Sequence, residues 1–462
     1  MKTALLIDIG STYTKVVLLD LDQIQIIGRS QFYTTVDKDV TIGLKKALAG
    51  VDGWQQAEYK LACSSAAGGL KIAAVGLVPD LTAEAARRAA LGAGGKVIKT
   101  YSYQLTEDDI KEIAQKQVDI LLLAGGTNGG NKDNILYNAR KIAASNLTQP
   151  LVVAGNRNAA AEVNNILKKG GKEVYPTENV MPKLEELNIE PARQTIREIF
   201  LKKIVEAKGL ADVNKIIDEL IMPTPSAVLK AAQLLADGSG SEKGLGELMV
   251  VDIGGATTDV HSIAEGNPQQ VNVNLRGLKE PYVKRTVEGD LGIRYNAWTI
   301  YQVIGRENFY KQLNTETDGI SIAECDRIIN KFKNNVDYIG VEPAEIKIEN
   351  KLARNAARLA VSRHVGCLET IYTPMGTSQV QMGKDLSQIE YIIGTGGVIV
   401  NNSQAEFILL GALYKNQHNK KLLAPLEPEI IIDREYLLAA AGLLAERKPE
   451  ISLKFLKKYL LE

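Results

Sequence analysis

The sequence is poor in the residues that build covalent cross-links and metal sites. Its 462 residues include three cysteines and three histidines. Cys63, Cys325 and Cys367 are isolated, without a CxxC pair or zinc-ligand spacing, which indicates a reducing compartment and no disulfide framework. The histidines lie far apart and show no HExxH pattern, so a histidine-based metal site is not expected.

A charge excess and long apolar runs are also missing. Lys+Arg and Asp+Glu both number 55, whereas a nucleic-acid-binding protein usually has a basic excess. No apolar run reaches the roughly 18 residues of a membrane-spanning helix, and Asp8 interrupts the N-terminal apolar run too early for a signal peptide. We therefore expect a cytoplasmic protein with no nucleic-acid partner and no membrane partner.

The chain is too long for one hydrophobic core, since single cores stop growing at about 250–300 residues. An apolar strand, a glycine turn and a second strand open the chain as ALLIDIGSTYTKVVLLD and return about half a chain later as ELMVVDIGGATTDVHSI. This repeat indicates an internal duplication. Between the copies, strands and helices alternate, which predicts a parallel sheet covered by helices. Two helices are then expected, over 191–208 and 211–221.

These patterns predict an α/β fold with four segments. The first lobe is expected over 1–81, an inserted α/β subdomain over 82–190 and connecting helices over 191–236. The second lobe is expected over 237–462, with a helical insertion near 300–370.

The first glycine turn follows a buried strand that ends in Asp8-Ile9-Gly10. Gly10 lets the backbone approach an anion closely, and the N–H groups of the turn can point at phosphate oxygens. Ser11, Thr12 and Lys15 are expected to contact the phosphates as well. Asp8 cannot usefully face phosphate and is better placed to hold a hydrated Mg²⁺. An ordinary hairpin with an Asp turn is the alternative for this single copy.

The second glycine turn has the same strand context. Asp252 again suits Mg²⁺ through water, and Asp259 is placed to orient the attacking water or a metal-bound water. Backbone and hydroxyl groups between them are expected to contact the phosphates; they belong to Gly254, Gly255, Ala256 and Thr257. Two copies favour a function, because two loops can hold a polyphosphate that neither could hold alone.

The third glycine turn follows the strand YIIG and consists of Gly394, Thr395, Gly396 and Gly397. A glycine turn at a strand end lets a flat ring lie against the backbone, which suits the adenosine part of a nucleotide. A plain strand-to-helix turn is the alternative. Neither a GxxxxGK[ST] loop nor a GxGxxG fingerprint follows the two Asp-Ile-Gly strands.

DIGST, DIGGATTD and GTGG, in this order, resemble the phosphate-1, phosphate-2 and adenosine motifs of the actin, sugar kinase and heat-shock chaperone ATPase superfamily. TPSAVLKAAQLL (224–235) is similar to its connecting helix, and TVEGDLGIRYNA (286–297) to the glycine-acidic segment after phosphate-2. The resemblance implies duplicated ribonuclease H-like, actin-type ATPase lobes with an inserted α/β subdomain. It also implies ATP and Mg²⁺ as ligands.

Three segments, 63–97, 121–145 and 152–160, are similar to the glutamate mutase accessory proteins, which are reactivase-like ATPases associated with adenosylcobalamin-dependent mutases. The resemblance implies a slow Mg²⁺-dependent ATPase that acts as a chaperone-like conformational switch. Such a protein would promote the release of damaged cobalamin from glutamate mutase or a related aminomutase. The mutase subunits are the expected partner.

Two other functions remain open: a small-molecule kinase of the same fold, and a protein that uses ATP to assemble. No sugar-kinase substrate signature is seen. An activator of a radical dehydratase would need cysteines for a bridging iron–sulfur cluster, and the three cysteines do not show that pattern.

The loop AGGTNGGNKDN (124–134) follows a buried parallel strand, and loops at the carboxyl ends of such strands often bind ligands. A ligand or partner contact and a structural Asn-Gly turn are both open for it. Cys63 and Ser64 are not expected to act as nucleophiles, because no histidine lies near them in the sequence.

Overall fold

The computed structural model describes residues 2–10, 12–35, 39–65, 70–206, 216–313, 320–374 and 376–461. The chain divides into two compact units. The first contains Met1–Val228 and Gly442–Ile451, and the second contains Leu229–Ala441 and Ser452–Glu462.

A five-stranded mixed sheet is the centre of the first unit. Its strands are β1 Thr3–Ile9, β2 Tyr13–Asp20, β3 Gln25–Tyr33, β4 Tyr59–Ser64 and β10 Glu219–Pro223. Their order is β10-β4-β1-β2-β3. β1 runs antiparallel to β2 and parallel to β4. Every residue of β1 is buried, as its nearly continuous apolar sequence predicts for a strand covered on both faces.

The second unit repeats this sheet. Its strands are β13 Leu248–Ile253, β14 Thr258–Ile263, β16 Val283–Glu288, β19 Tyr391–Thr395 and β20 Glu429–Ile432. The order is β16-β14-β13-β19-β20, with β13 antiparallel to β14 and parallel to β19. Strand for strand this is the order and direction of the first sheet, so the internal duplication is confirmed. The predicted fold class, α/β with duplicated ribonuclease H-like lobes of the actin type, is confirmed.

The inserted α/β subdomain lies within the first unit and has an all-parallel sheet of order β6-β5-β7-β8-β9. The strands are β5 Lys71–Gly76, β6 Lys96–Ser102, β7 Ile120–Leu123, β8 Leu151–Val153 and β9 Val174–Pro176. The helices are α2 Glu84–Gly92, α3 Glu107–Gln115, α4 Asp133–Ala143 and α5 Ala160–Lys169. The predicted alternation is confirmed, and the sheet also includes β5, a strand that the sequence pattern did not reveal.

The connecting region contains α6 Glu190–Glu206 and α7 Thr224–Asp237. The helix expected over 211–221 is wrong at its end, because Glu219–Pro223 is strand β10, paired in parallel with β4. A short apolar run has no periodicity that separates a strand from a helix, and the open edge of β4 decides the outcome. Residues 207–215 lie outside the described residues.

The remaining elements surround the two large sheets. The first unit adds α1 Val40–Leu48. Helices elsewhere are α8 Ala297–Ile304, α9 Arg306–Leu313, α10 Ile322–Asn334, α11 Pro343–His364, α12 Gly397–Val400, α13 Ala405–Leu409, α14 Leu438–Ala445 and α15 Pro449–Leu460. The small strands are β11 Gly238–Ser239, β12 Glu242–Lys243, β15 Val273–Arg276, β17 Cys367–Thr373 and β18 Gly376–Met382. Across the described ranges, every helix is too short or too polar to span a membrane.

The division between the two units falls inside three helices, α7, α14 and α15. Within the first unit, α7 and α14 meet at Ala227 and Gly442, where any Cβ at Gly442 would overlap the Ala227 carbonyl. Glycine is therefore required at this point for the two backbones to approach each other.

Candidate functional site

Asp8 lies at the carboxyl end of β1, between Lys15 on β2 and Cys63 on β4, which are its direct neighbours across the sheet. Its carboxylate is buried. The Lys15 ammonium lies 3.3 Å from Oδ2. The Thr224 hydroxyl donates to Oδ1 at 2.6 Å, and the Cys63 thiol donates to the same oxygen at 3.6 Å. We call Lys15, Asp8 and Cys63 the first cross-strand row.

Burial and, next, the negative charge of Asp8 raise the pKa of the Cys63 thiol well above its ordinary value. The side chain therefore stays protonated and serves as a weak donor. The thiolate, which is the nucleophilic form of cysteine, is disfavoured here.

The turn after β1 is closed by its own backbone. The Gly10 N–H donates to the Tyr13 carbonyl at 3.1 Å, and a Cβ at Gly10 would come within 2.6 Å of that oxygen. The Thr12 carbonyl accepts from the Thr34 N–H at 2.8 Å, which ties the turn to the end of β3. Ser11 lies outside the described residues. A glycine at position 10 is therefore required for the turn to close on its own backbone.

Asp252 occupies the same place in the second sheet as Asp8 does in the first. Its direct neighbours across the sheet are Asp259 on β14 and Thr395 on β19. We call Asp259, Asp252 and Thr395 the second cross-strand row. The turn after β13 closes as its counterpart does, with the Gly254 N–H donating to the Thr257 carbonyl at 2.9 Å.

The segment after β16 packs on this second turn. The Gly254 carbonyl accepts from the Ile293 N–H at 3.2 Å, and the Gly255 carbonyl accepts from the Arg294 N–H at 2.9 Å. The Asn296 amide donates to the Ala256 carbonyl at 3.1 Å. The carbonyl groups of this turn thus accept hydrogen bonds from the segment after β16, while Ala256 itself is exposed.

Asp259 is held from two sides. Both Nε and Nη2 of Arg285 donate to Oδ1, at 2.9 and 2.6 Å, and the Thr257 hydroxyl donates to Oδ2 at 3.1 Å. Both side chains of the ion pair are buried. Asp259 thus meets a guanidinium that the sequence pattern did not assign to the site.

His261 follows on the same face of β14 and is fully buried. Neither of its ring nitrogens has a hydrogen-bond partner among the described residues. Burial, and then the positive charge of Arg285, lower the pKa of His261 to about 3, so the imidazole is neutral near pH 7.

The third turn lies against the second cross-strand row. Gly396 has φ +97°, and a Cβ there would come within 2.7 Å of Asp252 Oδ1 and closer still to the Ile253 carbonyl. A Cβ at Gly397, the first residue of α12, would have open space around it. The structure therefore brings Asp252, Asp259, Thr395 and Gly396 together at one end of one sheet. Gly394 instead packs on Leu409.

Asp433, which the sequence pattern did not single out, completes this end of the sheet. The Thr395 hydroxyl donates to Asp433 Oδ2 at 2.9 Å, and Asp433 Oδ1 accepts from the Leu437 N–H at 2.7 Å. The sequence did contain a signal for Asp433. This residue directly follows the apolar strand β20, just as Asp8 and Asp252 lie at the carboxyl ends of the apolar strands β1 and β13.

The chemistry of Asp8 and of Asp252, each within its own unit, can be compared with the way proteins bind magnesium. Among the described residues, no group of three or more His, Cys, Asp or Glu side chains is close enough to hold a metal directly. Mg²⁺ keeps several of its waters and commonly uses one or two carboxylates together with substrate phosphates. Asp8 and Asp252, each next to a glycine turn, fit that type of binding.

The Asn-Gly loop of the inserted subdomain is held by side-chain amides from other parts of that subdomain. The Asn156 amide donates to the Gly130 and Asn131 carbonyls at 3.0 and 3.2 Å. The Asn179 amide donates to the Gly126 carbonyl at 2.9 Å. Gly126 has φ +71°, and a Cβ there would overlap the Asn131 carbonyl. These contacts give the loop the structural role that was one of its two expected roles.

Comparison with known proteins places the chain in a family. The family model described as MutL protein matches residues 4–460. The chain belongs to the MutL family. It is 46% identical over 470 residues to Protein MutL from Clostridium tetanomorphum, with 100% of both chains covered. The resemblance to glutamate mutase accessory proteins is thereby confirmed.

Solved structures resemble the MutL family chain at low identity. The ligand-bound xylulose kinase from Lactobacillus acidophilus is 10% identical, with TM-score 0.37 and coverage of 100% of this chain and 92% of that chain. The activator of the 2-hydroxyisocaproyl-CoA dehydratase from Clostridium difficile, with bound ADPNP, is 11% identical, with TM-score 0.32 and coverage of 99% and 97%.

Proposed function

We propose that this protein is an ATP-binding, chaperone-like ATPase that reactivates an adenosylcobalamin-dependent mutase, glutamate mutase or a related aminomutase, by promoting release of damaged cobalamin. One observation carries the nucleotide part: two sheets of identical strand order each place an aspartate beside a glycine turn at the same position. Membership of the MutL family supports the mutase part.

In the first unit, the turn after β1 contacts phosphate. Gly10 lets the backbone approach, and Ser11 and Thr12 add donors. Lys15 exchanges its contact with Asp8 for a phosphate oxygen, because its ammonium is only 3.3 Å from the carboxylate and its stem is flexible. Asp8 is then available to accept from metal-bound water.

In the second unit, Asp252 holds Mg²⁺ through water, and the backbone from Gly254 to Thr257 contacts phosphate. Asp259 orients water through Oδ2, which also accepts from the Thr257 hydroxyl, while Arg285 holds Oδ1. The turn of Gly394, Thr395, Gly396 and Gly397 receives the adenosine part, and the open space at Gly397 suits a flat ring. Mg²⁺, when bound, offsets the phosphate charge.

Hydrolysis in this proposal is slow and serves as a switch. ATP shifts the protein toward the conformation for which ATP has the higher affinity, and hydrolysis removes this shift in population. Cobalamin release from the mutase then follows the nucleotide state.

Calorimetric titration with MgATP tests the nucleotide part. We expect binding by the unmodified protein, and a loss of at least about 30-fold in affinity for Asp8→Ala, because a metal contact and the partner of Lys15 are both removed. Asp20→Ala is the matched control, since Asp20 is a buried carboxylate at the other end of the same strand pair. Normal binding and hydrolysis by Asp8→Ala would refute the proposal.

A cobalamin exchange assay tests the mutase part. The mutase of the same organism is inactivated with its cobalamin bound, mixed with this protein, and assayed for ATP-dependent replacement of the cofactor. We expect co-purification with the mutase and exchange only with ATP. No exchange would overturn this part. ATP-coupled phosphorylation of a sugar or polyol would make the chain a kinase, and ATP-dependent light scattering would make it an assembly protein.

A further inference from the structure

We propose that Thr224 is a positioning residue for Asp8, holding the carboxylate in the orientation in which it meets the hydrated metal ion. The proposal rests on the nucleotide function proposed above. It concerns a residue at the junction of β10 and α7, outside all three glycine turns.

The first argument is the contact itself. The Thr224 hydroxyl donates to Asp8 Oδ1 at 2.6 Å, and Lys15 lies 3.3 Å from Oδ2. Hydrogen bonds from a hydroxyl to an ionised carboxylate are shorter and stronger than those between neutral groups. The two oxygens are thus held from two different elements, which fixes the plane of the carboxylate. Since Lys15 turns to phosphate when nucleotide binds in the proposed function, the Thr224 hydroxyl is then a shorter contact to the carboxylate than the Cys63 thiol.

The second argument is the register of β10. In its pairing with β4, Leu220 lies opposite Ala62, whereas Met222 lies opposite Cys63, so one extra residue is inserted between them. An insertion of one residue changes the face to which every later side chain points. The insertion places Met222 opposite Cys63, the neighbour of Asp8, and Thr224 follows two residues later as the first residue of α7. The irregularity therefore contributes to the position from which the Thr224 hydroxyl reaches the carboxylate.

The third argument is the surrounding packing. Cys63 lies 3.7 Å from the Thr224 hydroxyl and 3.6 Å from Asp8 Oδ1, and it is fully buried. On the other side of the same helical turn, the Ser226 hydroxyl donates to the Ala93 carbonyl at 3.3 Å. Thr224 is therefore held in place by the sheet and by the inserted subdomain, which limits its rotation away from Asp8.

Three variants separate the hydroxyl from the packing. Thr224→Val removes the donor and keeps the shape, and Thr224→Ser keeps the donor. Ser226→Ala is the matched control, because it removes a hydroxyl from the same turn without touching Asp8. For each full-length variant, the dissociation constant of a non-hydrolysed ATP analogue is measured by calorimetry with and without Mg²⁺, and kcat and KM for ATP are measured in addition.

We expect Mg²⁺ to lower the dissociation constant of the analogue for the unmodified protein. In Thr224→Val, this effect of Mg²⁺ should be about tenfold smaller, while the dissociation constant without Mg²⁺ stays within twofold of that of the unmodified protein. We expect kcat to fall about tenfold at nearly constant KM, and Thr224→Ser to restore both within threefold. Ser226→Ala should match the unmodified protein in both readouts.

Two results would overturn the inference while leaving the nucleotide function intact. One is an unchanged Mg²⁺ effect in a folded Thr224→Val protein. The other is a Thr224→Ser variant as defective as Thr224→Val, which would assign the effect to packing. If the unmodified protein does not bind the analogue at all, the proposed nucleotide function fails, and the inference fails with it.

Discussion

The two large sheets have the same strand order but opposite charges at the same position. Asp8 faces Lys15 across β1 and β2, whereas Asp252 faces Asp259 across β13 and β14. Opposite charges across a strand pair stabilise the sheet, and like charges destabilise it. The first cross-strand row therefore pairs a carboxylate with an ammonium group. The second has two carboxylates and no cation of its own, so it requires a counterion from outside the row.

The second sheet needs Arg285 for this reason. A buried carboxylate next to another aspartate is costly unless it is paired, and Arg285 on β16 provides two donors. Duplication thus preserved the backbone of the site, while the side chains of the two copies took different electrostatic roles.

The largest loss of stability is expected when that arginine is removed. Arg285→Met should lower the free energy of unfolding by about 3–5 kcal/mol, because Asp259 stays buried without its counterion. Urea unfolding measures it. Arg276→Met, an exposed arginine on β15, is the control, and Arg285→Met/Asp259→Asn should recover part of the loss. A midpoint equal to that of the unmodified protein would show that Arg285 is not the required counterion.

The next test makes the second sheet more like the first. Gly396 occupies the place that Ser64 has in the first sheet, one residue beyond the cross-strand row. Gly396→Ser should cost about 2–4 kcal/mol, since it adds strain at φ +97° and overlap with the Ile253 carbonyl. Gly397→Ala, where a Cβ meets open space, should cost much less. Equal unfolding midpoints for the two variants would contradict this account.

A pH-dependent difference between the sheets follows from His261. Its pKa is about 3 in the folded protein against 6.5 as the ordinary value. Between these values the unfolded chain binds the proton and the folded chain does not, so stability falls as pH falls from about 6.5 toward 3. The contribution lost between pH 7.5 and pH 5 is on the order of 2 kcal/mol.

In the first sheet, the residue at the position of His261 is Val17. His261→Val is therefore the variant that tests this difference. Any packing cost of His261→Val is present at both pH values, so the measured quantity is the difference in the free energy of unfolding between pH 7.5 and pH 5. That difference should shrink by on the order of 2 kcal/mol in the variant. An unchanged difference would show that His261 does not titrate as described.

The smallest expected effect is on ATP affinity and tests the role of Lys15. Lys15→Gln should weaken ATP binding about tenfold, or about 1.4 kcal/mol, because a charge-assisted phosphate contact is lost. Lys2→Gln, an exposed lysine at the opposite end of the sheet, should leave the affinity unchanged. Unchanged affinity in Lys15→Gln would indicate that the ammonium serves only Asp8.

The parts of the site that could be predicted were those with local signals. Asp8, Asp252 and the glycine turns are recognisable because an apolar strand, an aspartate and a glycine follow each other in the chain. Asp433 had a local signal of the same kind, since it directly follows an apolar strand. Thr224 and Arg285 could not be assigned in this way, because each reaches the site through pairing between strands that are not consecutive in the sequence. Thr224 depends in addition on one inserted residue in β10, which no periodicity reveals.

The same limit applied to the fold. The duplicated turns predicted two sheets, and the strand–helix alternation predicted the inserted subdomain. β10 was expected to be part of a helix, since a five-residue apolar run has no periodicity of its own. The edge of β4, contributed by residues more than a hundred positions earlier, gives that run its strand conformation.

The meeting of α7 and α14 has a consequence for the order in which the protein forms. Gly442–Ile451 belongs to the first unit, where Gly442 packs on the Ala227 backbone and the Lys448 ammonium lies 5.8 Å from the centre of the Tyr59 ring. Domains made early in synthesis usually fold before later ones are complete. Here the ribosome must pass through the sequence of the second unit before the first has all of its parts. The unit that starts the chain is therefore the one whose assembly waits for residue 451.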